Sequence, residues 1–339
     1  MDRRIASAAL AAIILPLALA GCSSLTSSGD GGGGGDAADF PGSEPITMIV
    51  PFSAGGSSDL MVRGLVPFME DELGTSIIVE NTVGAGGQIG LTSLANATPD
   101  GHTIGLTNLP SALAYVNEDR GATYDQDSFE ALATVNRFRG IVAASSTGPW
   151  TSIEQVVEAA QAAPGTITVG VDGLGGDDHI VVTAFEEAAG VDFTIVPFDD
   201  GSEKMTALIG NQIDLSFGSV PTFRAQIETG SVSALAALDA EPIVGLEDVP
   251  TTESLGYDAV WESYNVLSAP AGLDAGVRDT LEAAIEAASE AAMQDADFEA
   301  QMTNGGYEFG FQDSAWTNEK WTDLDALWRE LVPLALAQQ

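Results

Sequence analysis

Two glycine-rich turns carry the residues whose types and spacing could do chemistry in this chain. The first reads Ser53-Ala54-Gly55-Gly56-Ser57-Ser58-Asp59 and the second Gly173-Leu174-Gly175-Gly176-Asp177-Asp178-His179. Each lies between strand-like residues and a helical stretch, so each leaves the first N–H groups of a helix without intrahelical partners. A helix start of that kind attracts anions through those N–H groups and through the helix dipole. One such loop alone is an ordinary strand-to-helix turn. Two, each after an early strand of its own β-α series, suit a shared anion clamp at the carboxyl ends of two sheets.

Phosphate is the first anion to test, and it fits poorly. SAGGSSD lacks the Gly-Lys-Ser/Thr ending whose lysine neutralises the β and γ phosphates, and no lysine precedes Lys204. In Gly84-Ala85-Gly86-Gly87-Gln88-Ile89-Gly90, Ile89 stands where a dinucleotide fingerprint needs its third glycine. Hydrolytic and metal readings have only His102 and His179 to draw on, with no G-x-S-x-G and no H-E-x-x-H. Asp177, Asp178 and His179 are ligand types, but three consecutive residues opening a helix point in different directions. An acidic helix start favoured by the dipole is the simpler reading. Neither a metal nor a cofactor is therefore expected. An enzymatic alternative, a surface hydrolase using His179 with Asp177 or Asp178, lacks any evident nucleophile. No arginine stands at either turn, so the sequence gives no charge count for a ligand.

The elements that must position these turns follow from periodicity. From Pro45, ITMIVPF, LMVRGLVPFMEDELG, SIIVENTVG, GGQIGLTSLANATPDG and HTIGLTN alternate strand-like and helical patterns, which specifies a parallel β-α-β-α-β series. A second series starts near Ile141 and runs through WTSIEQVVEAAQAAPG, TITVGVD, HIVVTAFEEAAG, FTIVPF, SEKMTALIGNQI and DLSFGS. Two α/β lobes follow. After Trp261 come YNVLSAP, an Ala/Glu-rich helix over residues 274–293 and a last helical segment. There Trp321, Leu324 and Trp328 recur at helical spacing as core residues. These helices are expected to return to the first lobe.

The amino terminus has a different purpose. Arg3 and Arg4 precede an apolar run from Ile5 to Ala20 and then Leu19-Ala20-Gly21-Cys22, a secretory signal with a lipobox. The run falls short of the roughly 20 residues that a spanning helix needs. Residues 1–22 are read as a lipoprotein signal and 23–44, rich in Gly and Ser, as a flexible tether reaching about 25 Å from a lipid on Cys22. Cys22 is the only cysteine, so no disulfide or cysteine-metal chemistry is available. The 50 acidic residues against 11 Lys and Arg, a formal net charge of −39, exclude electrostatic binding to nucleic acid or anionic membrane surfaces. Long-range attraction cannot then supply affinity for an anion; N–H donors at contact distance in a desolvated cleft can.

The motif P-F-S-A-G-G-S-S-D, then V-E-N-T-V-G-A-G-G-Q-I-G and T-P-D-G-H-T-I, resembles the opening of the solute-binding receptors of tripartite tricarboxylate transporters, the TctC or Bug-like proteins. G-L-G-G-D-D-H, I-V-P-F-D-D-G-S-E-K-M-T-A-L-I-G-N-Q-I-D, D-V-P-T-T-E-S-L-G-Y and S-A-P-A-G-L continue the likeness in order over nearly all of the chain after residue 45. The resemblance implies a two-lobed type II periplasmic-binding fold, each lobe a mostly parallel sheet flanked by helices. Residues 45–142 and 261–339 would form lobe 1, and 143–260 lobe 2. It implies binding without catalysis, of a small di- or tricarboxylate, by a monomer anchored outside the cell membrane through Cys22 and serving membrane permease subunits. A sensory lipoprotein signalling to a membrane kinase is the alternative.

Carried over by position, Phe52, Ser53, Gly56, Ser57, Ser58 and Asp59 in the first turn, and Gly173, Gly175, Gly176, Asp177 and His179 in the second, would grip a carboxylate. Ala85, Gly86, Asn108, Phe198 and Ser219 would line the rest of the cleft. Ser57 and Ser58 are the expected hydroxyl donors, whereas Asp59 is expected to order its own helix start. The family usually has Ser or Thr where this chain has Gly176. Tyr264-Asn265-Val266 replaces an aromatic-x-Gly that often precedes the A-P segment. Both departures alter the lining and leave the strand-helix pattern intact.

Overall fold

A computed structural model describes residues 40–198 and 201–337, so Cys22, the signal segment and most of the tether lie outside the described residues. In chain order the elements are β1 (Ile46–Val50), α1 (Ser57–Leu73), β2 (Ile77–Asn81), α2 (Gln88–Ala95), β3 (Thr103–Leu106) and β4 (Phe129–Ser145). Then come α3 (Ile153–Ala162), β5 (Thr168–Val171), α4 (Asp177–Ala189), β6 (Thr194–Pro197), α5 (Gly201–Ile209), β7 (Leu215–Ser219), α6 (Val220–Glu228) and β8 (Val232–Ala237). The chain finishes with β9 (Glu262–Pro270), α7 (Ala275–Gln294), α8 (Ala296–Gly305), β10 (Glu308–Asp313) and α9 (Ser314–Ala337). Among the described residues no helix is long and apolar enough to cross a membrane.

The architecture is α/β and two-lobed, with strand order β2-β1-β3-β9-β4-β7-β5-β6 and with β8 and β10 also on β4. The β-α-β segments pair in parallel, β1 with β2 and β3, and β5 with β6 and β7. The centre is antiparallel. β4 pairs with β9 from Phe129 to Arg139 and with β7 from Gly140 to Ala144, so one strand of 17 residues serves both sheets. Each sheet is therefore mixed, with its parallel strands toward one edge and an antiparallel strand, β10 or β8, beyond β4 at the other.

Burial explains where each element settles. Met61, Val62, Leu65, Met69 and Leu73 recur on one face of α1 and pack with Leu281, Ile285, Ala288 and Ala292 of α7. Each Leu or Met so buried contributes about 1.5–3 kcal/mol. Trp321, Leu324 and Trp328 are buried, as their spacing predicts. Trp321 stacks on Phe129 at 6.0 Å between ring centroids, while α9 also packs against α4. Where β4 passes between the sheets, Arg139 Nε meets Asp239 at 3.2 Å and Glu308 at 3.0 Å, and Arg137 pairs with Asp239 and Glu262.

Candidate functional site

The two turns close with the same backbone, although Gly173 opens the second at φ +83° and Ser53 opens the first without a positive φ. At the first, Gly55 takes φ +78°, which glycine accepts without a Cβ clash, and the N–H of Gly56 donates to Ser53 O at 3.1 Å. At the second, Gly175 takes φ +70° and Gly176 donates to Gly173 O at 3.4 Å. The helix-capping glycines, Gly56 (φ −73°, ψ 168°) and Gly176 (φ −75°, ψ 172°), nearly coincide in conformation. Among the described residues the N–H groups of Ser57, Ser58 and Asp59 find no acceptor, nor do those of Asp177 and Asp178.

A different side chain stiffens each turn. Asp59, 2% exposed, accepts from Gly55 N (2.8 Å), Arg63 Nε (2.9 Å) and Asn81 Nδ2 (2.9 Å). Burial alone would raise its carboxyl, but the Arg63 contact and the N–H donors hold it below the ordinary range. It orders the helix start, as the sequence suggests. His179, 1% exposed, accepts from Gly175 N at 2.8 Å through Nδ1, which places its proton on Nε2. Burial lowers its pKa, so the ring is neutral at pH 7 and braces the turn from behind. It does not line the cleft, which removes the base that a hydrolase would need.

Both turns open onto one cavity of about 360 Å³. Of the residues singled out from the sequence, Phe52, Gly56, Ser57 and Ser58 line it from the first turn and Gly176 and Asp177 from the second. Gly86, Asn108 and Ser219 complete that set. Ser53, Asp59, Gly173, Gly175 and His179 are outside the lining, within the framework of the turns. Ala85 reaches the site only through its carbonyl, which accepts from Arg120 Nη2 at 3.3 Å. Phe198 packs with the cluster of Ile213, Leu208 and Phe223, while its backbone N–H holds Val171 O at 2.9 Å.

The floor is a chain of polar side chains. Ser58 Oγ donates to Asn265 Oδ1 (3.3 Å), which also accepts from Asn108 Nδ2 (2.9 Å). Asn108 Oδ1 in turn accepts from Ser263 (3.3 Å) and shares the single Ser111 hydroxyl proton (3.2 Å) with Asp177 Oδ2 (3.1 Å). Ser58 thus commits its hydroxyl proton to the protein and offers a ligand its N–H. Ser57 has no such tie, so it is the freer hydroxyl of the two.

The cations are what the sequence did not disclose. Arg120 and Lys204 both line the cavity, although neither neighbours a turn in sequence. Lys204, 4% exposed, meets Asp178 Oδ2 at 2.7 Å and Asp172 Oδ2 at 2.8 Å. Burial pushes the Asp178 carboxyl up to about 6, with Asp172 and Asp177 adding to the rise and Lys204 opposing it. Burial would lower Lys204, but the charges of Asp178 and Asp172 hold it above its ordinary range. Arg63, Arg137, Arg139 and Arg224 are each engaged in ion pairs.

The profile described as TctC, tripartite tricarboxylate transporter family receptor, matches residues 61–331. Protein BugT of Bordetella pertussis (strain Tohama I) is 29% identical over 241 residues, covering 70% of this chain and 74% of BugT. The solved periplasmic binding protein BugD is similar at 29% identity and a TM-score of 0.73, over 86% of this chain and 97% of that one. MatC of Rhodopseudomonas palustris with bound malate shares the fold at a TM-score of 0.74 and 24% identity, covering 86% and 100% of the two chains. A second R. palustris protein, solved with adipate, shares it at 0.76 and 22%, covering 88% and 98%. These relatives are solute-binding receptors and not enzymes. A profile match over most of the chain, joined to a cleft built on a duplicated helix start, shows that the chain belongs to the tripartite tricarboxylate transporter receptors, the TctC family of extracytoplasmic solute-binding proteins.

Proposed function

We propose that this receptor captures a small organic carboxylate of the di- or tricarboxylate class between its lobes and delivers it to the membrane subunits of a tripartite tricarboxylate-type transporter. The duplicated turn carries this reading: two helix starts, each with unpartnered N–H groups, face one cavity. An anion there gains fixed N–H dipoles that closure of the lobes strengthens by expelling water. Malate in MatC and adipate in the second neighbour support the ligand class. The lobe division runs through β4, with residues 45–142 and 261–339 on one side and 143–260 on the other. A thermal-shift screen over aliphatic di- and tricarboxylates, aromatic acids and amino acids tests it. A ligand at about a hundred times its Kd stabilises the fold by about 2.7 kcal/mol, so a specific binder is expected to raise the Tm visibly. A screen in which no carboxylate raises the Tm would sink the reading.

The same proposal holds the receptor, as a monomer, at the outer face of the cell membrane through lipid on Cys22. The support is the lipobox Leu19-Ala20-Gly21-Cys22 and the polar tether behind it. Cys22→Ala is expected to abolish labelling with radioactive fatty acid in cells, and persistent labelling of that variant would remove the anchor.

A further inference from the structure

The five residues around the junction of α8 and β10, Asn304 to Glu308, touch parts of the molecule far from them in sequence. Gly306 closes α8 at φ +76°, and its N–H and that of Tyr307 return to Thr303 O (3.0 Å) and Met302 O (2.9 Å), which turns the chain sharply. On one side of this junction lies α6, which follows β7 of the second sheet. Arg224 Nε of α6 donates to Asn304 O at 3.2 Å, placing a cation on the carbonyl end of α8. Gly306 lies so near Val220, the first residue of α6, that a Cβ there would stand 2.8 Å from Val220 Cγ1. On the other side lies the first glycine turn. The Tyr307 hydroxyl donates to Ser57 O at 3.0 Å, across 250 positions.

The identities in the junction have physical reasons. A Cβ at Gly305 would run into the Tyr307 ring, so that glycine lets the ring fold back over the helix end. The ring meets Phe138 at 5.5 Å between centroids, and Phe138 lines the cavity from β4. Glu308 reaches Arg139 of the same strand at 3.0 Å, where β4 passes between the sheets. Burial pushes the Tyr307 hydroxyl up to about 12, so it stays a proton donor at physiological pH. By holding Ser57 through its carbonyl, Tyr307 leaves the Ser57 hydroxyl and N–H to the cavity. Asp59 and Asn81 tie the first turn to its own sheet, whereas Tyr307 ties it to a junction that rests on the second.

We propose that this junction is a strut between the sheets: it rests on α6, whose preceding residue Ser219 lines the cavity, and it sets the first glycine turn through Tyr307, a positioning residue for Ser57. The placement of the second sheet is thereby transmitted to the first helix start. A turn held in its binding geometry before an anion arrives loses less freedom on capture. The inference rests on the carboxylate-receptor reading for its consequence in binding, and goes beyond it in assigning Arg224, Gly306 and Tyr307, which lie outside the cavity lining.

Amide hydrogen exchange on the ligand-free protein tests the strut, read at Leu60, whose N–H donates to Gly56 O at 2.9 Å in the opening turn of α1. Tyr307→Phe removes only the hydroxyl and is expected to speed exchange there about fivefold, as loss of one hydrogen bond implies. Arg224→Gln, a change on α6 away from the first turn, is expected to speed it about threefold, and Arg224→Lys to keep the wild-type rate by keeping a cation on the end of α8. In all three variants the amides of β5 are expected to exchange as in the wild type. Leu60 unmoved in Tyr307→Phe or in Arg224→Gln, or an acceleration that extends equally to β5, overturns the inference. Calorimetry with malate, adipate and citrate is expected to show Tyr307→Phe binding about fivefold more weakly whichever acid the wild type takes, and unchanged affinity likewise overturns it. Silence from all three acids in the wild type counts against the carboxylate reading alone, and the exchange rates then decide the strut.

Discussion

Gly56→Val and Gly176→Val are each expected to weaken carboxylate binding by at least about thirtyfold while leaving a folded protein. Both positions have ordinary negative φ, so valine meets no left-handed strain. The obstacle is space: a Cβ at Gly56 lands 3.1 Å from Ser53 O, and one at Gly176 lands 2.9 Å from Asp172 O. The added methyls also stand over the helix N–H groups that the anion must reach. Losing two such donors at about 1–3 kcal/mol each gives about thirtyfold at the low end and passes a hundredfold at about 1.4 kcal/mol per donor. Ser57→Ala removes a hydroxyl and keeps the N–H, so it is expected to cost only about tenfold. Calorimetry that finds full affinity in both valine variants would move the site out of this cleft. The same geometry bears on Gly176→Ser: no positive φ stands in its way, only the carbonyl of Asp172.

Lys204→Met is expected to cost about 3–5 kcal/mol of stability, the penalty for leaving a buried carboxylate without its counter-ion. Lys204 and Asp178 are 4% and 5% exposed, so water cannot take the lysine's place. Urea denaturation measures the loss, and Asp178→Asn in the same chain is expected to restore much of it. The pH dependence has a definite sign. A carboxyl whose folded-state pKa is raised contributes stability that is present at low pH and lost as pH rises through the folded value. Burial already pushes Asp178 to about 6 with the lysine in place, and its removal pushes further. The Lys204→Met penalty is therefore largest above about pH 6 and shrinks as the pH falls. A penalty under about 1 kcal/mol, or one independent of pH, would show that solvent reaches this pair.

Much of the fold is legible in the sequence because local pattern and tertiary role agree there. ITMIVPF, SIIVENTVG and TITVGVD become strands, and the glycines after them become helix starts. β4 is hidden because FEALATVNRFRGIVAAS is buried on both faces, so it shows neither alternation nor a turn signal, and polar residues interrupt it. Site residues divide the same way. The turn residues advertise themselves through Gly-Gly followed by hydroxyl or acid. Arg120 and Lys204 do not, because they reach the cavity through folding: Lys204 stands 26 positions from the Asp178 it neutralises. Asn265 looks like a mere departure from a family pattern until its Oδ1 is seen holding Ser58 and Asn108.

The strand common to both sheets governs how the chain must fold. Phe129 to Arg139 wait for residues 262–270, and Gly140 to Ala144 wait for 215–219, so neither sheet gains its central pairing until most of the polypeptide is available. Such long sequence separations make folding slow and late, since loop closure precedes the contacts that reward it. For an exported polypeptide this delay is useful: a chain that cannot complete either half early remains threadable during translocation. Once β9 and β7 are both in place, loss of either leaves part of the one shared strand unpaired, so the two sheets are expected to denature as one cooperative body.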